Sequence, residues 1–354
     1  MRGELHKNRG RPKFTPYGKV PKERKTYPQI WPKYNQAKTQ EKYLFLTLLD
    51  ELLEEVFPEE EKTKQIGRPS LPLKQMIFAS CVREYSCYSS RKTISELKIA
   101  KDLKLLTKVP HFNSICNFLQ NEDLYPKLQK LIIISSLPLA KVETHIAVDS
   151  TGFSLCAYDR WIQYKWGEKK GKTRGWVKAH IACGAKTQII CSAQITNKDA
   201  GDSPVFGNLF AGFRRYFEAK EVSADRAYSS KINLKMALEK DIVPYIPFRS
   251  NATADDGSHR QNSAWIQMYY YFKNNEEEFL RHYHQRSKIE TTFSMVKKRL
   301  GSNLKSKTLI SQKNELLCRF LVHNICVLVQ EIFELGIDVD FYKASKEVAQ
   351  KEEE

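Results

Sequence analysis

The feature that most constrains this chain is a change of hydrophobic period near Thr144. Upstream, from Glu41 to about Ala140, apolar residues fall at three- and four-residue intervals, as in Leu44, Phe45, Leu48, Leu49, Leu52, Leu53 and Val56. That is the pattern of helices burying one face. Further helices are predicted near 71–87, 92–106, 111–121 and 124–137, after a Pro-marked turn at Gly67-Arg68-Pro69. At Thr144 the pattern shortens, and His145-Ile146-Ala147-Val148 reads as a compact strand ending at Asp149. Strands at 176–183 and 188–196 follow, joined by a hairpin-length turn, Gly184-Ala185-Lys186-Thr187. Next come a helix over 203–217, a strand over 221–224, a helix over 230–240 and a strand over 242–248. A polar stretch then leads, at about Asn275, to a helix over 276–300. The predicted architecture is an α/β unit of order βββαβαβ-α behind an all-helical unit, with a C-terminal helix over 315–335 and a solvated Lys/Glu-rich tail.

With 354 residues, 41% hydrophobic and 28% charged, the chain has material for two globular domains. Its net charge of +17 favours a polyanion as partner, because Lys and Arg release counterions from phosphates, although ribosomal and membrane-surface proteins share such a balance. Residues 1–38 are dense in Lys, Arg and Pro and carry no apolar period, so a basic disordered arm is expected. Within it, Arg9-Gly10-Arg11-Pro12 matches the core of an AT-hook, whose arginines enter a narrow minor groove, although a generic phosphate-binding arm is the favoured reading. In the helical unit, Thr93–Leu106 followed by Phe112–Gln120 fits either a helix-turn-helix or a scaffold with a solvated charged face. The expected boundaries are 1–40 for the arm, 41–140 for a helical DNA-binding domain, 141–340 for the α/β domain and 341–354 for the tail.

No apolar run approaches the ~18 residues of a membrane span, and the Met1 segment lacks a signal peptide's apolar stretch. A cytoplasmic, nucleoid-associated protein is expected. The eight cysteines form no C-x-x-C pair, which argues against a zinc knuckle or a disulfide framework. Cys318, His323 and Cys326 lie in an apolar run, Leu316 to Val329, and read as core.

Two aspartates, Asp149 and Asp225, follow short strands. Strand ends are where sites collect in α/β sheets, and close carboxylates repel unless divalent cations such as Mg²⁺ or Mn²⁺ bridge them. A third carboxylate sits in the predicted helix over 276–300, where Tyr283, Arg286, Glu290 and Lys297 are spaced Y-x2-R-x3-E-x6-K. At ~100° per residue all four fall within an arc of ~60°. Beside them run Ile289, Phe293, Val296 and Leu300, an apolar stripe that would fix the helix on the sheet. The spacing alone favours an exposed helix with an i,i+4 ion pair between Arg286 and Glu290.

Taken together, Asp149 in Val-Asp-Ser-Thr-Gly, Asp225 in Ala-Asp-Arg-Ala-Tyr-Ser and the Y-x2-R-x3-E-x6-K quartet resemble the DDE transposases of bacterial and archaeal insertion sequences, over about residues 67–330. The resemblance implies an RNase H-like catalytic domain in which Asp149, Asp225 and Glu290 hold two Mg²⁺ or Mn²⁺ ions. It assigns phosphate contact and end positioning to Tyr283, Arg286 and Lys297. It further implies metal-dependent cleavage at element ends, transfer of the 3′-hydroxyl into target DNA, binding of terminal inverted repeats, and a homodimer in the synaptic complex. A nuclease that cuts without joining, and a catalytically inactive DNA-binding descendant, are the alternatives. Only 64 residues separate Asp225 from Glu290, which leaves room for little more than a loop where family members often carry a β-rich insertion.

Between the first two strands, Lys170, Lys172 and Arg174 are flanked by Trp161, Trp166 and Trp176. They read as a loop that grips DNA near the cut, or as a solvated loop with its tryptophans in the core. Asp199 and Asp202 precede Pro204 and read as helix caps, with Asp202 alternatively near the metals; His180 reads as a core residue, and Tyr228 as a support for the Asp225 loop.

Overall fold

In the computed structural model, described over residues 30–58, 71–155, 176–254 and 263–353, five helices come first. These are α1 (Trp31–Val56), α2 (Leu73–Ser86), α3 (Ser90–Asp102), α4 (Phe112–Phe118) and α5 (Leu124–Ser136). The first begins ten residues ahead of the expected boundary at 41, inside the segment read as arm. Pro32 sits in its first turn, where a missing N–H costs nothing, Ala37 is buried, and Lys33 caps a carbonyl at Glu334, 3.1 Å away.

The strands are β1 (His145–Ser154), β2 (Trp176–Gly184), β3 (Ile190–Asn197), β4 (Glu221–Ala224) and β5 (Val243–Tyr245), in sheet order β3-β2-β1-β4-β5. The tight 185–189 connection allows β2 and β3 to pair antiparallel, as do β1 and β2. The parallel strands β4 and β5 need crossovers, supplied by α6 (Phe206–Arg214) and α7 (Lys231–Leu238). Contrary to expectation, β1 does not stop at Asp149. Its pairing with β2 continues to Ser154 opposite Trp176, whereas β4 ends at Ala224 opposite Val148.

Four of the remaining helices are α8 (Ala264–Asn274), α9 (Glu276–Tyr283), α10 (Ser287–Leu300) and α11 (Leu309–Glu334). A polar stretch was expected where α8 lies. Its aromatic face explains the helix: Trp265 meets Phe248 at 4.7 Å between ring centroids, and Phe272 meets Phe279 at 4.9 Å. The last helix, α12 (Phe341–Glu353), replaces the expected solvated tail, because Phe341, Ala344 and Val348 recur at helical spacing and are buried.

Packing converges on α11, which lies against α1, α2, α5 and β3, so the front helices and the sheet share one continuous core. By length and composition α11 is apolar enough to cross a membrane, which the sequence reading passed over; 83% of its most apolar window is buried inside the protein. Most of its buried polar side chains find partners there, although the Asn314 Oδ1 has none among the described residues. Asn324 receives the Ile190 N–H at 2.9 Å and donates to the Ile190 carbonyl at 2.8 Å. Arg319, fully buried, donates to Glu84 at 2.9 Å, Glu315 at 2.6 Å, and the carbonyls of Gly301 and Asn303 at 2.6 and 2.8 Å. Gly301, at φ +93°, stops α10, and Arg319 thereby ties the end of that helix to the core.

Candidate active site

The site follows from the parallel register. Val148 and Ala224 are the last paired residues of β1 and β4, so the next residue on each strand is an aspartate, Asp149 and Asp225. Adjacent strands lie about 4.8 Å apart, which makes these carboxylates neighbours. Asp225 leaves its strand in an extended conformation and accepts the Arg226 N–H at 2.6 Å. Asp149 Oδ1 accepts the Ser150 N–H at 2.8 Å, and its Oδ2 accepts the Arg286 guanidinium. Burial pushes the Asp149 carboxyl up to about 6; the Ser150 N–H and Arg286 pull it back, while Asp225 and Glu290 add to the rise.

The second wall is the α9–α10 segment. It is not the single helix over 276–300 that the sequence predicted: a tight turn at His284–Arg286 interrupts it. Tyr283 therefore ends α9, Arg286 lies in the turn, and Glu290 and Lys297 lie on α10. Two of the four, Arg286 and Lys297, reach β1. Arg286 reaches Asp149 and, at 3.0 Å, Glu290, with the Tyr283 ring centroid 5.7 Å away. Lys297 donates to Thr151 Oγ1 at 2.7 Å and lies 5.0 Å from the Phe153 ring centroid, and burial lowers its pKa. The predicted stripe of Ile289, Phe293, Val296 and Leu300 is buried and holds α10 in place. Asp149, Thr151, Glu290, Lys297, Lys298 and Ser302 are among the residues around an open cleft of about 510 Å³.

The three carboxylates are not yet a closed cage. Among the described residues no three carboxylate, imidazole or thiol groups stand ready to hold an ion, because the Glu290 side chain is 62% exposed and turned to Arg286. The donor set nevertheless fits a hard divalent cation: it is all oxygen, two donors are adjacent, and Asp149 carries a charge that burial disfavours. In this arrangement Arg286 supplies the compensating positive charge.

Behind β1 lies a network that the sequence reading missed. Asp202, expected as a helix cap or alternatively near the metals, makes no capping bond; it accepts the hydroxyl of Ser150, the neighbour of Asp149, at 2.7 Å, and lies 2.7 Å from the Lys178 ammonium and 3.4 Å from His180. His180 also meets Thr196 at 2.9 Å and the buried Tyr228 hydroxyl at 3.3 Å. Writing out the hairpin register would have found it, since Ser150 pairs with His180 and His180 with Gln194. A second cluster joins His145 and His282, at 2.9 and 2.8 Å, to one oxygen of Glu221 at the opposite end of β1. Arg9, Arg11, Lys170, Lys172 and Arg174 lie outside the described residues. The α3–α4 connection spans residues 103–111, longer than the ~3–4-residue turn of a helix-turn-helix.

Burial pushes His180 and His323 down to about 4 each. The folded state then stays neutral where the unfolded chain, titrating near ~6.5, takes up protons. The stability that these residues carry is present above pH ~6.5 and is lost as pH falls toward 4, by up to about 3 kcal/mol each. Urea denaturation between pH 7.5 and 4.5 is expected to show this loss, and His323→Gln to reduce its slope; an unchanged slope in that variant would contradict the assignment.

Comparison with known proteins adds three findings. The profile of the transposase DDE domain family matches residues 140–325. No curated protein matches the chain. Among solved structures, the cryo-EM structure of a piggyBac transposase synaptic complex with hairpin DNA is similar at 12% identity and a TM-score of 0.40, covering 86% of this chain and 78% of that one.

Proposed function

The chain belongs to the transposase DDE domain family, and from that premise we propose that it is a DNA transposase that cuts at the ends of an insertion element and joins the freed 3′-hydroxyl to target DNA. The observation that carries the reading is the side-by-side placement of Asp149 and Asp225 where β4 ends, faced by Arg286, Glu290 and Lys297 from the second wall. The sheet order β3-β2-β1-β4-β5, with crossover helices before β4 and β5, supports an RNase H-like catalytic domain.

Asp149, Asp225 and Glu290 would hold two Mg²⁺ or Mn²⁺ ions, which supply an activated water or 3′-hydroxyl and stabilise charge on the leaving oxygen. Glu290, exposed on α10 and paired with Arg286, would turn inward to join the aspartates when the ions are bound. Arg286 gives up Asp149 and takes a phosphate, for which its planar fork is suited. Lys297, anchored on Thr151, holds a flanking phosphate, and the Tyr283 ring backs Arg286. The partners are terminal inverted repeats and target DNA, handled by a homodimer that pairs two ends at the nucleoid.

A strand-transfer assay with end-containing duplex, target plasmid and Mg²⁺ tests the reading, the expected products being cut ends joined to the plasmid. Cutting without joining would make the protein a nuclease. Binding without either would make it an inactive descendant, an outcome against which the intact set Asp149, Asp225 and Glu290 argues.

A further inference from the structure

The exposed ground where α10 meets the α2–α3 corner is cationic and continuous with the cleft. Lys298 and Ser302 line the cleft itself. Three residues further on, the Lys305 ammonium donates to the Tyr88 carbonyl at 3.1 Å, and the Cys87 thiol donates to the Arg299 carbonyl at 3.1 Å, so this corner is clamped to the end of α10. The Lys92 ammonium covers the Tyr88 ring at 4.4 Å, and the Arg91 guanidinium covers the Phe112 ring at 4.7 Å. Arg91, Lys92, Lys298 and Lys305 are exposed, and none forms a salt bridge with a carboxylate among the described residues.

What sets this ground apart is its place beside the cleft. Elsewhere some surface lysines meet acids one helical turn away, as Lys235 meets Glu239, and others lie on rings, as Lys346 lies over Tyr342 at 4.1 Å. Here Arg91 and Lys92 lie over aromatic rings and Lys305 on a carbonyl, which orders these three without neutralising them. The N-terminal end of α3, capped by Ser89, adds its positive pole to the same ground. Tyr88, 38% exposed, offers a ring beside them.

We propose that this band, Arg91, Lys92, Lys298 and Lys305 with Tyr88, seats the duplex that flanks the scissile phosphate and grips its backbone without reading bases. The proposal rests on the transposase reading. Backbone contact is favoured over groove reading because α4 has only seven residues and the α3–α4 connection is long. Contacts of this kind carry affinity and salt dependence but no sequence information.

The test compares wild-type protein, Arg91→Ala/Lys92→Ala/Lys305→Ala, and a control that removes the same charge elsewhere, Lys240→Ala/Lys343→Ala/Lys346→Ala. Binding of a labelled end-containing duplex and of a scrambled duplex is measured from 50 to 300 mM salt, with cutting by the wild type assayed in the same buffer. The band variant is expected to lose on the order of tenfold or more in affinity for both duplexes, and its slope of log K against log salt to flatten by about 0.9 per lost phosphate contact. Equal weakening by the control, or an unaltered slope in the band variant, overturns the proposal. If the wild type cuts that duplex while the band variant binds it normally, the band falls and the transposase reading stands; if the wild type neither binds nor cuts, both fall. Wild-type preference for RNA or for a protein over duplex also overturns it.

Discussion

Replacing Asp149 with asparagine is expected to abolish DNA cutting, with a loss of at least ~10³-fold, while leaving the fold intact. The amide keeps the size of the carboxyl and its bond from the Ser150 N–H, but removes the charge that, in the proposed mechanism, would help hold the metal. Stability is spared because burial already disfavours that charge, holding the carboxyl near 6. The same substitution releases Arg286 from an ion pair that is only partly buried, for which little loss is expected. Glu290→Gln should behave alike in cutting, with an even smaller effect on stability, since its side chain is 62% exposed. Cutting assays in Mg²⁺ and in Mn²⁺, alongside thermal melting, check both variants. An Asp149→Asn protein that cuts within tenfold of wild type would remove the carboxylate from the mechanism.

The largest effect on stability is expected far from the chemistry, at Arg319. Truncation to alanine removes the nearer of the two cations that Glu84 and Glu315 share, leaving Arg83 at 3.5 and 3.8 Å, and deprives the Gly301 and Asn303 carbonyls of a donor. Breaking a buried pair by removing one partner costs about 3–5 kcal/mol. Burial, followed by the Glu315 charge, already pushes the Glu84 carboxyl upward while Arg319 restrains it. In the variant the largest part of that restraint is gone, Arg83 and Lys305 remaining, so the deficit should shrink as pH falls and the carboxyls protonate. Urea denaturation at pH 7 and pH 5 tests this; a loss below 1 kcal/mol at pH 7 would mean that Arg83, 3.8 Å from Glu315, takes over.

What the sequence revealed about this fold was local in origin. The period change at Thr144, the alternation of strands and crossovers, and the quartet with its apolar stripe all depend on neighbours within a few turns. Features that depend on distant partners stayed hidden. That β1 overruns Asp149 is a consequence of β2 pairing as far as Trp176, and the Arg319–Glu84 bond joins residues 235 apart. The break at His284–Arg286 has no Gly or Pro to announce it, so a continuous helix was the natural expectation. In α12 the apolar residues Phe341, Ala344 and Val348 are separated by Lys and Glu, and composition outweighed their spacing. Asp149 and Asp225 were legible as strand-end residues, but their adjacency is a property of the β1–β4 register and not of either motif.

The position of α11 bears on how such a chain can evolve. One helix supplies the floor for the front helices and the backing for the sheet, and its apolar surface is used on nearly every side. The front part is therefore not a cassette that recombination can lift out and replace, because a foreign substitute would have to match α11 side chain by side chain. Change is more accessible on the outer faces of α3 and α4, where substitutions leave the shared interior untouched.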